Sequence, residues 1–482
     1  MTAKGSERPI HSGASGTGWS ANARGGVRPG IAPPRRFYIE TFGCQMNVND
    51  SEKVAGLLLA DGHERAAAPA DADFVFINTC AVREKAAEKL FHALGRLKRL
   101  KAVNPDLVIG VGGCVAQLQG LQVLDRAPYV DVLVGTHNVA RVPELVRRAR
   151  EGFRDCVDLD RRAEPFSVPD ERVAHTSPVR AYVTAIEGCN HVCSFCVVPR
   201  TRGPEVCRAP EAIVAEVRSL VARGYPEVML LGQTVNAYRH GEVDFAGLLA
   251  RVHAVEGLQR LRFTTSHPAH VAEPMADAFR DLPRLCPYLH LPVQSGSDRV
   301  LVSMRRGYTA REYRDRVGLL RDRRPDLALS TDVIVGYPGE TEDDFAATLD
   351  LVDAVGFDTV FVFMYSPRPG TTALRLGDDV PDAEKRRRFQ VLNQRQQRSQ
   401  AGRNAARVGA REEVLVDSLV APGRVSGRTG HFTIVHLDGS EALLGRRIHV
   451  DVTGAGPNAL VGRLAADDSL TPSEAAAVLG SP

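Results

Sequence analysis

The sequence has no long apolar run, no export signal and almost no net charge, and each absence excludes a class of protein. No stretch of the 482 residues reaches the roughly 18 consecutive apolar residues that a membrane span needs. Residues 1–34 are rich in Gly, Ser, Ala and Arg but lack the apolar core of a secretory signal, so we expect a disordered tail and a cytoplasmic protein. A formal net charge of only +3 gives no whole-chain indication of a nucleic-acid partner.

Cysteine is sparse, with nine residues that all lie within the first 286 positions. An odd number of cysteines in a chain without an export signal argues against a disulfide framework and favours thiolates that are available to a metal. Hydrophobic residues make up 44% of the chain. At this length a single core is not expected, and the chain predicts two to four domains.

Residues 35–150 predict a first domain, a parallel α/β sheet covered by helices. Apolar runs at 37–39, 74–77, 107–109 and 132–134 alternate with amphipathic stretches such as 51–60 and 84–100. This is the βαβα pattern. The polar, proline-containing stretch 155–178 has no clear periodicity and predicts a linker.

Residues 175–404 predict a second α/β domain with longer units. Its strand-like runs are 181–186, 228–231, 261–265, 288–292, 330–335 and 359–365. Six βα units joined by right-handed crossovers predict a partial (β/α)6 barrel whose working face lies at the carboxyl ends of the strands.

The C-terminal part changes character. Residues 385–411 contain nine Lys or Arg and no acidic residue, which predicts a basic helix. Such a helix either neutralises RNA phosphates or simply has a solvated face. Short β-like runs at 414–416, 432–437 and 448–452 predict a small β-barrel over 407–475, and the residues after 467 are expected to be loosely ordered.

The strongest motif is Cys189, Cys193 and Cys196, spaced CxxxCxxC directly after the first strand of the second domain. Three thiolates can hold a [4Fe-4S] cluster and leave one iron without a protein ligand, free to chelate a small molecule. The alternative is zinc, which usually takes four ligands, and only His191 offers itself as a fourth.

A second set, Cys44, Cys80 and Cys114, follows three strand-like runs of the first domain, each cysteine just beyond its strand. Because the carboxyl ends of parallel strands gather along one edge of a sheet, we expect the three to converge. Ordinary buried cysteines are the alternative. Ligation is favoured, because a core cysteine belongs within a strand. The remaining cysteines match no ligand pattern and are interpreted as structural: Cys156, Cys207 and Cys286.

The Cys189 loop resembles the radical S-adenosylmethionine (SAM) signature. The resemblance implies that the open iron holds the amino and carboxylate groups of SAM and that Phe195 packs near its adenine. It also implies that one electron from the cluster releases a 5′-deoxyadenosyl radical. Four further residues follow barrel strands on the same face and are expected to contact SAM or substrate: Gln233, Gln294, Ser295 and Gly336.

Three strings of the first domain, 43–47, 78–83 and 112–114, are similar to the N-terminal domain of the methylthiotransferase family. That resemblance implies a second [4Fe-4S] cluster, held by the earlier cysteine set, which handles the inserted sulfur. Strings at 196–203, 264–268, 290–296 and 365–371 resemble the branch of the family that acts on transfer RNA, and the match runs from about 36 to 407. The chain departs from the branch at Arg200, usually Tyr, and at Thr234, often Asn.

The resemblance implies a reaction at ring carbon 2 of the adenosine next to the anticodon, which already carries an isopentenyl group on N6. An unactivated aromatic C–H needs radical chemistry, and bases of a single-stranded loop are accessible to it. The C-terminal module resembles a TRAM domain, which binds transfer RNA. The expected partners are the tRNA anticodon stem-loop, SAM, an electron donor and a sulfur source that the sequence does not identify, and we expect a monomer with no membrane association.

Two alternatives stay open. The same chemistry could act on a threonylcarbamoyl-adenosine of tRNA or on a ribosomal-protein aspartate, although the strings at 196–199 and 264–268 argue against both. A different class of protein, a non-catalytic iron- or zinc-dependent RNA-binding protein, is the second alternative. The test that separates it is SAM cleavage by iron-loaded protein.

Overall fold

The computed structural model describes residues 36–81, 84–154, 156–161 and 168–466. The predicted tail at 1–34 and the stretch after 467 lie outside the described residues. Across the described ranges, no helix combines the length and the apolar character needed to cross a bilayer.

The first domain is a six-stranded parallel sheet in the order β2-β1-β3-β4-β5-β6. Helices cover both faces, which is why its central strands β3 and β4 are buried along their whole length. The α/β prediction is confirmed, and the sheet gains β6 from within the stretch interpreted as a linker. Its elements are β1 Arg36–Phe42, α1 Gln45–Ala60, β2 Glu64–Arg65, β3 Phe74–Thr79, α2 Glu84–Val103, β4 Val108–Gly113, α3 Cys114–Gln119, α4 Gln122–Arg126, β5 Val132–Val134, α5 Val142–Arg150 and β6 Val157–Asp158.

The second domain is an open, curved parallel barrel. Two three-stranded sheets, β13-β10-β7 and β14-β15-β16, are joined by a parallel bridge between Leu261 and Leu285. All six predicted strands are present. Its elements are β7 Arg180–Thr184, β8 Ile186–Glu187, α6 Val198–Thr201, β9 Val206–Cys207, α7 Pro210–Ala222, β10 Glu227–Leu231, β11 Arg239–His240, β12 Val243–Asp244, α8 Phe245–His253, β13 Arg260–Phe263, α9 Glu273–Asp281, β14 Tyr288–His290, α10 Asp298–Ser303, α11 Ala310–Arg323, β15 Ala328–Val335, α12 Glu342–Val355 and β16 Thr359–Met364.

The basic segment forms the long helix α13, Asp382–Ala405, but carboxylates of this same chain neutralise most of its charge. Lys385 and Arg388 are buried, and Arg388 binds Glu340 at 2.7 Å. Of the nine basic residues at 385–411, seven form ion pairs with described residues, and the other two are Arg386 and Arg398. The helix therefore packs against the barrel, and little of its charge is left for RNA.

The chain ends in a closed five-stranded barrel in the order β17-β18-β19-β21-β20. Its interior is filled by alternating apolar residues, as expected for a small barrel. The prediction of a C-terminal β-barrel is confirmed. The strands are β17 Arg411–Ala421, β18 Arg424–Thr429, β19 Ile434–Asp438, β20 Arg447–Ala455 and β21 Ala459–Leu464.

A buried histidine fastens the connecting segment to the first domain. The His175 side chain is 1% exposed, with Nδ1 at 3.2 Å from Glu52 of α1 and Nε2 at 4.0 Å from Asp170. Burial by itself lowers the pKa of His175, but Asp170 and Glu52 outweigh it and raise the pKa to about 8. The imidazolium therefore stabilises the fold, because its pKa is higher than in the unfolded chain.

This contribution is expected to depend on pH. It is fully present below about pH 6.5 and is lost as the pH rises through about 8, and it amounts to about 2 kcal/mol. We therefore expect the midpoint of urea unfolding to decrease when the pH is raised from 6 to 9. The decrease is expected to be larger for the unsubstituted chain than for the His175→Gln variant. Equal slopes for the two proteins would contradict the prediction.

Candidate active site

The loop after β7 places three thiols at the carboxyl end of the barrel's first strand. It begins at Gly188, whose φ of +78° and close approach to Pro204 leave no room for a Cβ. The amide of Gly188 donates to Gln233 Oε1 at 2.5 Å, and the amide of Cys189 donates to the carbonyl of Gly203 at 3.1 Å. The segment after β10 and the segment around Gly203 thus hold the start of the cysteine loop in place.

The thiols of this loop lie close enough to influence one another electrostatically, and two of them contact a polar side chain. Arg306 Nη1 donates to Cys193 Sγ at 3.4 Å, and Thr234 Oγ1 lies 3.3 Å from Cys189 Sγ. Burial raises the pKa of Cys189, and it raises that of Cys196 to about 12. A metal that binds these thiols as thiolates would displace their protons.

Strand ends β1, β3 and β4 bring the second cysteine set together. Cys44 caps α1, Cys80 follows β3, and Cys114 begins α3. Cys80 lies within hydrogen-bonding reach of both other thiols, and this bond lowers the pKa of Cys44 and of Cys114 to about 6 while it raises the pKa of Cys80. The convergence expected from the parallel sheet is present.

An asparagine pair shapes this second site. Asn47 and Asn78 are fully buried, Asn47 Nδ2 donates to Asn78 Oδ1 at 3.0 Å, and Asn78 Nδ2 donates to the carbonyl of Asn47 at 2.9 Å. Gly113, with φ +87°, lies where a Cβ would come within 2.2 Å of Asn78 Oδ1. The asparagine pair and Gly113, which belong to the three strings of this domain, therefore fix the backbone segments that carry the three thiols.

Both donor sets fit iron-sulfur clusters better than zinc. Each offers three thiols, the ligand that such clusters take. The Nε2 atom of His191, the one candidate for a fourth zinc ligand, lies 2.9 Å from His270 Nε2, and its ring stacks on His267. These three histidines could themselves surround a metal, but His267 Nδ1 already accepts the Ala269 amide at 3.2 Å, so its Nε2 carries the proton and has no free lone pair.

The other predicted contacts lie around the same end of the barrel. Phe195 packs against a small apolar cluster that includes Met304 and Tyr337. Gln294 adopts a φ of +77°, and its backbone amide donates to the backbone carbonyl of Asp332 at 2.9 Å. Gly336 also has a positive φ, +70°, and a Cβ there would meet Lys385 of α13 at 2.3 Å.

Two of these positions hold the site's backbone in place. Gln233 binds the start of the cysteine loop, as described above. Ser295 is fully buried, and its hydroxyl lies 3.3 Å from Thr348 of α12. Direct contact of either side chain with SAM stays a prediction. Of the two departures from the family pattern, Thr234 touches Cys189, and Arg200 has its carbonyl bound by Arg161 at 2.6 Å.

Two buried arginines lie beside the cysteine sets, and no metal-ligand pattern indicates either of them; Arg202 falls within the string at 196–203, but the resemblance implies no role for it. Arg306 is buried next to Cys193, and Arg202 is buried against Asp50 at 2.5 Å, beside the second cysteine set. Both are arginines, a residue type that is mostly exposed, and their partners lie 113 and 152 positions away in the chain. Their role depends on tertiary contacts that no local pattern reveals.

An open parallel barrel with a CxxxCxxC thiol loop at the end of its first strand defines a radical SAM enzyme. Two family models match accordingly: "Uncharacterized protein family UPF0004" over residues 36–135 and the Radical SAM superfamily over residues 183–352. Among solved structures, the radical SAM methyltransferase TsrM from Kitasatospora setae has a TM-score of 0.53 at 15% identity and covers 81% of this chain and 78% of its own. That likeness concerns the fold.

Curated relatives are much closer in sequence. The tRNA-2-methylthio-N(6)-dimethylallyladenosine synthase of Bordetella petrii is 48% identical over 450 residues, which is 91% of this chain and 93% of the relative. The synthase of Chromobacterium violaceum is 47% identical and covers 90% of this chain and 100% of its own. The chain belongs to this family of radical SAM methylthiotransferases, whose cofactors are SAM and two [4Fe-4S] clusters.

Proposed function

We propose that this chain adds a methylthio group to ring carbon 2 of N6-isopentenyladenosine, next to the anticodon of tRNA. The observation that carries the proposal is the pair of three-thiol sites, one at the edge of each parallel sheet, in a chain whose relatives are named for this reaction. Cleavage of SAM needs only one such site. We assign the second site to the insertion of sulfur, because the relatives are named for a methylthio product.

We assign the SAM-cleaving cluster to Cys189, Cys193 and Cys196, and the sulfur-handling cluster to the other set. When bound, these groups supply an electron for the cleavage of one SAM and a sulfur that a second SAM methylates. The chain's own part is to hold the six thiols and exclude water. Cys114, for example, is 4% exposed. The second set comprises Cys44, Cys80 and Cys114.

The inner face of the barrel offers a place for the base. On β14 to β16, residues such as Leu289 and Val333 pack against the helices, so the alternate residues face the lumen. There His290 Nε2 lies 3.5 Å from Asp332, and the Phe361 ring, 45% exposed, packs edge-on against His290. An exposed aromatic ring beside a polar pair can stack on a purine and hydrogen-bond its edge.

Replacing Phe361 with alanine is expected to raise KM for the RNA about fivefold to 150-fold, because one base stacked on an aromatic ring is worth about 1–3 kcal/mol. Iron content and SAM cleavage without RNA are expected to stay unchanged. Phe153→Ala is the matched control, since that ring is also exposed but follows α5 of the first domain and lies on no strand of the barrel. An unchanged KM would contradict the stacking role.

The C-terminal barrel is our candidate for holding the RNA outside the lumen, with the exposed Arg386 and Arg398 as additional phosphate contacts. We also propose a cytoplasmic location and a monomer. The domain boundaries at 35–150, 175–404 and 407–475 stay predictions.

The direct test is a defined reaction. Anaerobically reconstituted protein is incubated with SAM, a chemical reductant, sulfide and one of three substrates: an anticodon stem-loop with isopentenyladenosine, the same RNA with threonylcarbamoyl-adenosine, or the ribosomal protein. Mass spectrometry is expected to find the mass of one added methylthio group on the first RNA only. Modification of another substrate would select the corresponding alternative, and full iron loading without 5′-deoxyadenosine would favour the non-catalytic RNA-binding protein.

A further inference from the structure

Arg202 belongs to the barrel but reaches into the first domain. It directly follows α6, six residues after Cys196, and its side chain is 2% exposed. Its Nη2 donates to Asp50 of α1 at 2.5 Å, and its carbonyl is 3.0 Å from His137 Nε2. A guanidinium buried this deeply between two domains must have acceptors for its hydrogens, because an unmet buried donor is costly.

The acceptor for one nitrogen is missing among the described residues. Nη1 of Arg202 is buried and bonds none of them. The guanidinium lies within hydrogen-bonding reach of the Cys114 thiol and in the electrostatic field of Cys44. The guanidinium that carries this nitrogen therefore lies beside the second cysteine set, whose sulfur atoms can accept its hydrogens.

We propose that Arg202 donates its Nη1 hydrogens to a sulfur of the cluster held by Cys44, Cys80 and Cys114 and so raises the reduction potential of that cluster. The inference rests on the cluster assignment of the proposed function. Its physical basis is that a hydrogen bond and a positive charge stabilise the reduced cluster, which carries one more negative charge. Asp50 acts in the opposite sense, because its carboxylate neutralises the guanidinium and adds negative charge near Cys114.

Arg306 stands in the same relation to the other cysteine set. It is 6% exposed, its Nη1 donates to Cys193 Sγ at 3.4 Å, and its Nη2 donates to the carbonyl of Pro292 at 2.8 Å. Each site thus has one buried arginine. Arg306 is a matched control, because its substitution removes the same group from beside the other cluster.

The experiment measures the potential of one cluster at a time. In the full chain with Cys189, Cys193 and Cys196 replaced by alanine, only the N-terminal cluster is present, and a redox titration followed by electron paramagnetic resonance gives its midpoint potential. Arg202→Gln is expected to shift the midpoint to more negative values, Asp50→Asn to more positive values, and Arg306→Gln to leave it unchanged. With the other three cysteines replaced instead, Arg306→Gln is expected to shift the midpoint and Arg202→Gln to leave it unchanged.

The opposite signs exclude a purely structural role, since breaking the Arg202–Asp50 pair from either side would then have the same effect. Shifts of one sign, or no shift at full iron content, would overturn the inference. Should Arg202→Gln fail to retain iron, Asp50→Asn and Arg202→Lys carry the test, the latter keeping the charge and shifting the midpoint less. A parent variant that holds no cluster would overturn the cysteine assignment itself and the inference with it.

Discussion

Replacing Cys189, Cys193 and Cys196 together with alanine is expected to abolish release of 5′-deoxyadenosine and to lower the iron content from about eight to about four per chain. Replacing the other set is expected to halve the iron content too, but to leave SAM cleavage intact and stop only the transfer of sulfur. The reason is that the two sites lie on different sheets and are built from different strand ends. Iron and sulfide analysis with product chromatography measures both results.

The remaining cysteines provide the control for these two triple variants. Cys156, Cys207 and Cys286 lie outside both sites, and burial raises the pKa of Cys207 and Cys286. Their joint replacement by alanine is expected to keep about eight irons and both activities. Zinc in place of iron, or a single cluster that survives loss of the Cys44 set, would contradict the assignment.

Replacing Glu227 with glutamine is expected to weaken docking of the C-terminal barrel by about 3–5 kcal/mol, because it leaves buried cations without their counter-charge. Glu227 is fully buried and binds Arg180 and Arg262, at 2.9 Å in the latter case. Arg262 in turn donates to the carbonyls of Thr429 and Gly430 in the barrel, each at 2.8 Å. Proteolysis of the native chain at the connection 406–410 measures the fraction undocked.

The pH dependence of this docking has a defined sign. Burial opposes ionisation of Glu227, but Arg262 and Arg180 outweigh it and lower its pKa to about 2. The contribution is therefore complete above about pH 4.5 and is lost only as the pH falls toward 2. Glu413→Gln is the control, since Glu413 also binds across this interface, to Arg260 at 2.9 Å, but is 45% exposed and is expected to cost less than about 1 kcal/mol. Equal proteolysis rates for the two variants would contradict the prediction.

Much of the fold was predictable because its signals are local. Apolar runs followed by amphipathic stretches marked the strands of both parallel sheets, and a cysteine just past a strand end marked each candidate ligand of the first domain. The topology then brought Cys44, Cys80 and Cys114 together without further information. The fold class and the family are confirmed, while ligation of metal by these residues stays a prediction.

What the sequence did not reveal is where charge is buried. The basic run at 385–411 suggested phosphate contacts, yet Arg388 is buried against Glu340, a carboxylate 48 positions away, and Lys385 against the nearby Asp378. The buried ion pairs of Arg202 and Glu227, whose partners lie 152 and 35 positions away, were not predictable because no local pattern reveals such distant partners. A run of basic residues does not show which carboxylates will pair with it, so the exposure of its side chains cannot be predicted from the run alone.

Phe432 shows what the fixed C-terminal barrel means for substrate choice. This residue, held at φ +70° in the turn between β18 and β19, stacks on Tyr288 of β14 and lies among Arg180, Arg262 and Arg428. It also packs into the apolar cluster that includes Met46, two residues from Cys44. On the proposed function, in which the terminal barrel binds the RNA, this close junction fixes the distance between the RNA-binding barrel and the lumen, and the position of a nucleotide would then contribute to its selection together with its chemistry.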